Sequence, residues 1–114
     1  MAFSDQDLDL QARIKHVLLE SEYPLSYGAL ARDLNVPGPG AIARVTTALE
    51  ALMQDDMAHG RPFVAALCEG KLSGGMPALG FFEMAAKLGR YSGPATGPQA
   101  TAFVLQQRTL LGRG

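Results

Sequence analysis

LSYGALARDLNVPGPGAIARVTTALEALM, residues 25–53, reads as two helical patterns joined by a corner of prolines and glycines. Ser26 is of the residue class that caps helix amino termini, because its hydroxyl accepts a backbone N–H that the first turn leaves unpaired. Leu30, Ala31 and Leu34 then recur on one side of a short helix that Asn35 and Pro37 end. The stretch NVPGPG, residues 35–40, is the turn. A longer helix starts near Gly40 and runs to Gly60, a residue suited to the left-handed position just past a helix end. Its inward face is expected to carry Ile42, Val45, Leu49, Leu52 and Met53, leaving Arg44, Thr47, Ala51 and Gln54 outside. Two helices about such a corner form a helix-turn-helix, which either reads DNA or simply builds a small core.

Upstream, Ser4 is expected to cap a first helix whose opening turn is acidic, as the helix dipole favours. Leu10, Ile14, Val17 and Leu18 make its apolar stripe, which ends near Glu20, and Pro24 closes the connection. Downstream, RPFVAALC, residues 61–68, is an apolar run of strand length, and EGKLSGGMPALG, residues 69–80, is a glycine-rich loop. A strand and loop after a helix-turn-helix is the layout of a winged helix. FFEMAAKLG predicts a fourth helix stopped by Gly89, with adjacent Phe81 and Phe82 either packing on different parts of one core or one of them capping the loop or meeting a partner subunit; RYSGPATGP predicts a surface linker. Pro98 sits in the first turn of a fifth helix, with Phe103, Leu110 and either Val104 or Leu111 on its apolar side. The expected fold class is therefore mainly α with a small β wing: a winged helix-turn-helix of about five helices and a short strand or hairpin. Residues 1–91 form the winged-helix domain in this reading, and 92–114 a linker and C-terminal helix that packs on it or on a partner subunit.

The chain has 114 residues, 47% apolar and 18% charged, which is the balance of a folded single domain. No apolar run reaches the roughly 20 residues a membrane-spanning helix requires, and the start of the chain is acidic where a secretory leader is basic. A cytoplasmic location is expected, in keeping with a lone Cys68 that has no internal disulfide partner. The net charge of −1 hides an asymmetry. Residues 1–60 hold nine acids and four bases, net −5, whereas residues 61–114 hold two acids and six bases, net +4. Such a split fits either a basic face for nucleic acid or two complementary faces that meet within the fold or in a dimer.

Ser26-Tyr27-x-x-Leu30-Ala31, a turn, and then Arg44-Val45-x-x-Ala48-Leu49 before an apolar strand resembles the DNA-binding domain of the O6-alkylguanine alkyltransferases and alkyltransferase-like proteins. The resemblance covers about 45 residues. It implies that Tyr27 helps rotate a nucleotide out of the duplex and that an arginine on the recognition helix enters the minor groove. Aligned on Val45, Ala48 and Leu49, the family's arginine falls on Ala43, and Arg44 is displaced by one position, which turns a helical side chain by about 100°. The family's Pro-Cys-His-Arg motif is missing: the corresponding region reads FVAALCEGK. The loop motif Pro77-x-x-Gly80-Phe81-Phe82 also looks like that of some small bacterial proteins.

These features favour a non-enzymatic protein, regulatory in one reading, that binds double-stranded DNA through Arg44 and Thr47 at the groove, with Arg61 and Lys71 on phosphates; the alkyltransferase resemblance adds Ser26 and Tyr27 to the DNA-binding set. The alternative is a protein-interaction or dimerisation module, which suits the near-neutral charge and the apolar C-terminal helix. A homodimer is accordingly an expected partner, and no membrane or small-molecule substrate is. An enzyme would need Cys68 activated, and no neighbour in sequence supplies a base or a positive charge. Asp55, Asp56 and His59 could share a helix face, but no further ligand group at the usual spacing accompanies them, and a histidine near a helix C-terminus beside local carboxylates is the simpler reading, so no metal or cofactor is expected. SGGMPALG, residues 73–80, lacks the Gly-Lys-Ser/Thr ending of a phosphate loop and is better explained as a wing tip.

Overall fold

A computed structural model describes residues 5–112; the expected cap at Ser4 lies outside them. The first helix, α1 (Asp5–Glu20), buries Leu10, Ile14 and Leu18, one residue per turn along a single stripe. The chain then makes a two-residue strand, β1 (Leu25–Ser26), and enters α2 (Tyr27–Asp33) directly. Ser26 does cap α2: its Oγ accepts the Ala29 N–H at 3.0 Å. At the other end Asn35 adopts φ +53°, and the Val36 N–H returns to the Ala31 carbonyl at 2.9 Å. Gly40 caps α3 (Ala41–Ala58) at φ +81°, a conformation that a side chain would strain.

α3 is the central element, packed against α1, α2, α4 (Leu79–Lys87) and a 3-10 segment, Val64–Leu67. Contact on several sides widens its buried arc beyond a simple stripe, so Ala51, expected outside, is buried along with Val45, Ala48, Leu49, Leu52 and Met53. Ile42, expected inside, is 54% exposed instead. Its Cδ1 lies over Gly28, about 4.0 Å from where a Cβ there would be, at the open amino end of α2.

Of the strand expected over residues 61–68, Val64–Leu67 is this 3-10 segment, residues 61–63 are irregular, and only Cys68, with Glu69, is paired as a strand, β2. β2 pairs with β1 in parallel, Leu25 with Cys68 and Ser26 with Glu69. Residues 63–68 are buried without alternation, so no face is left for a strand's period of two. Their backbone groups are satisfied by side chains instead. The Phe63 N–H donates to Gln107 Oε1 at 2.8 Å and the Val64 N–H to Asp56 Oδ2 at 3.0 Å. Among the described residues there is no antiparallel wing hairpin. The glycine-rich loop folds on itself, with Gly70 N–H to Met76 carbonyl at 2.8 Å and Met76 N–H to Ser73 carbonyl at 3.0 Å.

α4 buries both Phe81 and Phe82, whose rings meet edge to face at 5.2 Å. α5 (Pro98–Leu110) begins at Pro98 and docks on the 3-10 segment, adding Phe103 and Val104 to the same core. Leu110, expected on its apolar side, is exposed, because the buried face ends instead in two polar residues, Gln107 and Arg108. No described helix is long and apolar enough to cross a membrane.

Candidate interaction face

Of the six side chains singled out from the sequence, Ser26 and Tyr27 are engaged in hydrogen bonds of the fold, Arg61 is ion-paired, and Arg44, Thr47 and Lys71 are exposed. Ser26 is occupied by its cap bond. Tyr27 is half-buried, and its hydroxyl accepts the Ala78 N–H at 2.9 Å, which ties the start of α2 to the entry of α4. Burial pushes the phenol up to about 12 despite that hydrogen bond, so it is neutral at physiological pH. Arg44 and Thr47 are exposed on α3. Arg44 borders a hollow of about 420 Å³ that it shares with Asp5, Asp9 and Arg13, so acids of α1 stand beside it. Arg61 lies past the far end of α3, about 20 Å along the axis from Arg44. It is committed to two carboxylates, Asp55 at 2.5 Å and Asp56 at 3.2 Å. Lys71 is exposed on the loop after β2.

Sequence reasoning missed where the C-terminal bases go. Arg90 donates to the Arg61 carbonyl at 2.6 Å, and its guanidinium stands 4.1 Å above the centre of the Phe63 ring. Arg108 is buried and donates to three carbonyls, Ala66 at 2.7 Å, Cys68 at 3.3 Å and Gly75 at 2.6 Å. Burial lowers its affinity for the proton, opposed by the charge of nearby Glu69. Arg108 is thus spent inside the molecule, Arg90 is part-buried against Phe63, and Arg61, 40% exposed, is paired at the surface with Asp55 and Asp56, which leaves Lys71 and Lys87 as the exposed lysines among the described residues of that half. By contrast Asp5, Asp7, Asp9, Glu20, Glu22 and Asp33 are all exposed. Among the described residues, much of the positive charge of the C-terminal half is therefore held in guanidinium groups bound to carbonyls and carboxylates of the fold.

Cys68 and Asp56 are turned inward, whereas His59 is exposed. Cys68 is fully buried, and desolvation drives its thiol up to about 12, only partly opposed by Arg108. Asp56, 2% exposed, spends both oxygens on Arg61 and the Val64 N–H. It is thereby removed from His59, and among the described residues no three ligating side chains converge as for a metal.

What the surface does offer is apolar. A hollow of about 240 Å³ opens beside α3. One wall is Tyr27, Ile42, Thr46, Leu49 and Met53, with Glu50 among them; the other is Ala65, Ala78, Gly80 and Phe81. The Thr46 hydroxyl turns back to the Ile42 carbonyl at 2.9 Å, which leaves its methyl toward the hollow's apolar wall. Leu79, 59% exposed, stands between this hollow and a second one of about 540 Å³ bordered by Leu72, Met76, Pro77 and the start of α5. Leu72 is 98% exposed. The signal for this face was present in the sequence as a leucine inside a glycine-rich loop, but position in space was needed to join it to α3. Comparison with protein-family models, curated proteins and solved structures finds no match.

Proposed function

We propose that the protein is a non-enzymatic helix-turn-helix module, with the loop after β2 standing in the place of a wing, that binds an apolar element of another protein. The observation that carries this reading is the hollow beside α3, walled mostly by apolar side chains with exposed Ile42 among them, and with exposed Leu79 following Ala78 of its wall. Exposed apolar side chains that adjoin a preformed concavity mark a contact site, whereas scattered ones do not. The commitment of Arg61 to Asp55 and Asp56, of Arg90 to the Arg61 carbonyl and of Arg108 to buried carbonyls supports it from the other direction, since a duplex needs unpaired outward cations to replace its counterions.

Binding to double-stranded DNA is the second reading, and one feature favours it. Arg32, Arg44 and Thr47 are all exposed about the amino half of α3, which carries no acid before Glu50. With Lys71 these supply few cations, so the slope of log affinity on log salt would be no steeper than roughly −3. The two readings separate in one pair of assays on the intact chain. A displayed-peptide selection should recover ligands with apolar anchors that Ile42→Glu abolishes. Fluorescent duplex DNA at ~50 mM salt should show no binding with protein on the order of tens of micromolar. Binding of DNA that is lost on Arg32→Ala or Arg44→Ala, with no peptide recovered, would overturn the interaction reading.

A further inference from the structure

Leu72 combines two features that a loop leucine seldom has together. It is 98% exposed, and its backbone is at φ +63°, the left-handed region that L-residues with a branched side chain avoid. The conformation is enforced by the loop's own hydrogen bonds, Gly70 N–H to Met76 carbonyl and Ser73 N–H to Gly70 carbonyl, and by the bond from Arg108 to the Gly75 carbonyl. A glycine would sit there without strain and without exposing apolar surface. An apolar side chain held outward on a fixed loop in a disfavoured conformation is a feature with a use outside the fold.

The hollow beside α3 has the complementary shape and charge. Glu50 lies in its wall with no ion pair among the described residues, and Lys71, next to Leu72, has none either. Leu79 connects the two features: its neighbours Ala78 and Gly80 line the hollow, and it borders the second hollow together with Leu72. Knob and hole on one face, with opposite charges at each, are what an isologous contact requires, because each half of such an interface must fit its own copy.

We propose that the occupant of the hollow is a second copy of this chain. Leu72 of one protomer enters the hollow of the other, Lys71 pairs with the partner's Glu50, and the two Leu79 side chains meet near the two-fold axis. This rests on the interaction reading above and narrows it to one partner. The same occupancy covers Ile42 and leaves Arg44, beside α1, outside the contact.

The test is sedimentation velocity on the full chain from about 1 to 300 micromolar, with thermal melting to verify that each variant is folded. The expected result is a concentration-dependent dimer. Because Leu72 is almost wholly exposed, Leu72→Asp should leave the monomer's melting intact. It should weaken the dimer by on the order of 100-fold, tenfold for each of two symmetric contacts at about 1.4 kcal/mol per tenfold. Lys71→Glu and Glu50→Lys should each weaken the dimer, and the double variant should recover most of the loss. A monomer at every concentration, a dimer indifferent to Leu72→Asp, or a charge swap without recovery overturns the proposal. A monomer that still binds selected peptides in a manner blocked by Ile42→Glu would remove the second copy and leave the interaction reading standing. A monomer that binds neither would remove both.

Discussion

Replacing Arg108 with Met keeps the length of the aliphatic stem and deletes the guanidinium, which isolates what that group does for stability. Three carbonyls lose their donor: Ala66 and Gly75, held at 2.7 and 2.6 Å, and Cys68 at 3.3 Å. The long bond counts little. Each of the other two leaves a carbonyl short of a partner at about 1–3 kcal/mol, the Gly75 group less because that site is nearer water. Against this, the variant removes a buried charge whose desolvation is itself unfavourable, as its lowered proton affinity indicates. The net loss should be about 3 kcal/mol. For a chain of this size that is a fall in melting temperature of roughly 10–15 °C. Urea unfolding of the two proteins, with the slope verified as unchanged, measures it directly. Arg108→Lys should recover only part, since one ammonium cannot face carbonyls on both the 3-10 segment and the loop. A loss below about 1 kcal/mol for Arg108→Met would refute the claim that this side chain fastens α5 to the segment before β2.

Tyr27→Phe keeps the ring in its place and removes the acceptor for the Ala78 N–H, so it should lower stability by about 1 kcal/mol in the same urea assay without altering the helical spectrum. Cys68 should react with an aromatic disulfide reagent at pH 8 only as fast as the fold opens, far below the rate of an unfolded control; labelling at the free-thiol rate would contradict its burial. The same groups make stability depend on alkaline pH. The unfolded chain releases the Cys68 and Tyr27 protons near pH 9 and 10, the folded chain only near 12, so the folded state binds more protons in between. Stability should therefore fall with pH from about 9 to 12, and Cys68→Ala should flatten that fall.

The helices were legible because each carries its signal locally. Ser26 caps, the 35–40 corner breaks, Gly60 and Gly89 follow helix ends at φ +66° and +84°, and Pro98 starts α5. Residues 64–67 were not legible as a 3-10 turn. Nothing in an apolar run tells which side chains elsewhere will take its backbone groups, and here Gln107 and Asp56 do so from 44 and 8 residues away. The face itself was half legible. Tyr27 and α3 were identified from the corner, but Ile42 was assigned inward because helical period alone cannot report that its neighbour is a glycine on an open helix end. The charge asymmetry misled for a related reason: Arg108 resembles any base in a last helical turn, and only the folded chain shows it pointing at three carbonyls.

The position of α5 bears on how the chain reaches this fold as it is made. The Phe63 N–H and the Ala66 carbonyl take their partners from Gln107 and Arg108, more than forty residues downstream. While the last helix is still inside the ribosome, the centre of the core holds polar backbone that cannot be both buried and paired. At about 5–20 residues per second, that interval is a few seconds during which α1, α2 and α3 are already out. The nascent chain can collapse onto α3 but cannot close over residues 63–66 until the thirteen-residue α5 has emerged to pair them.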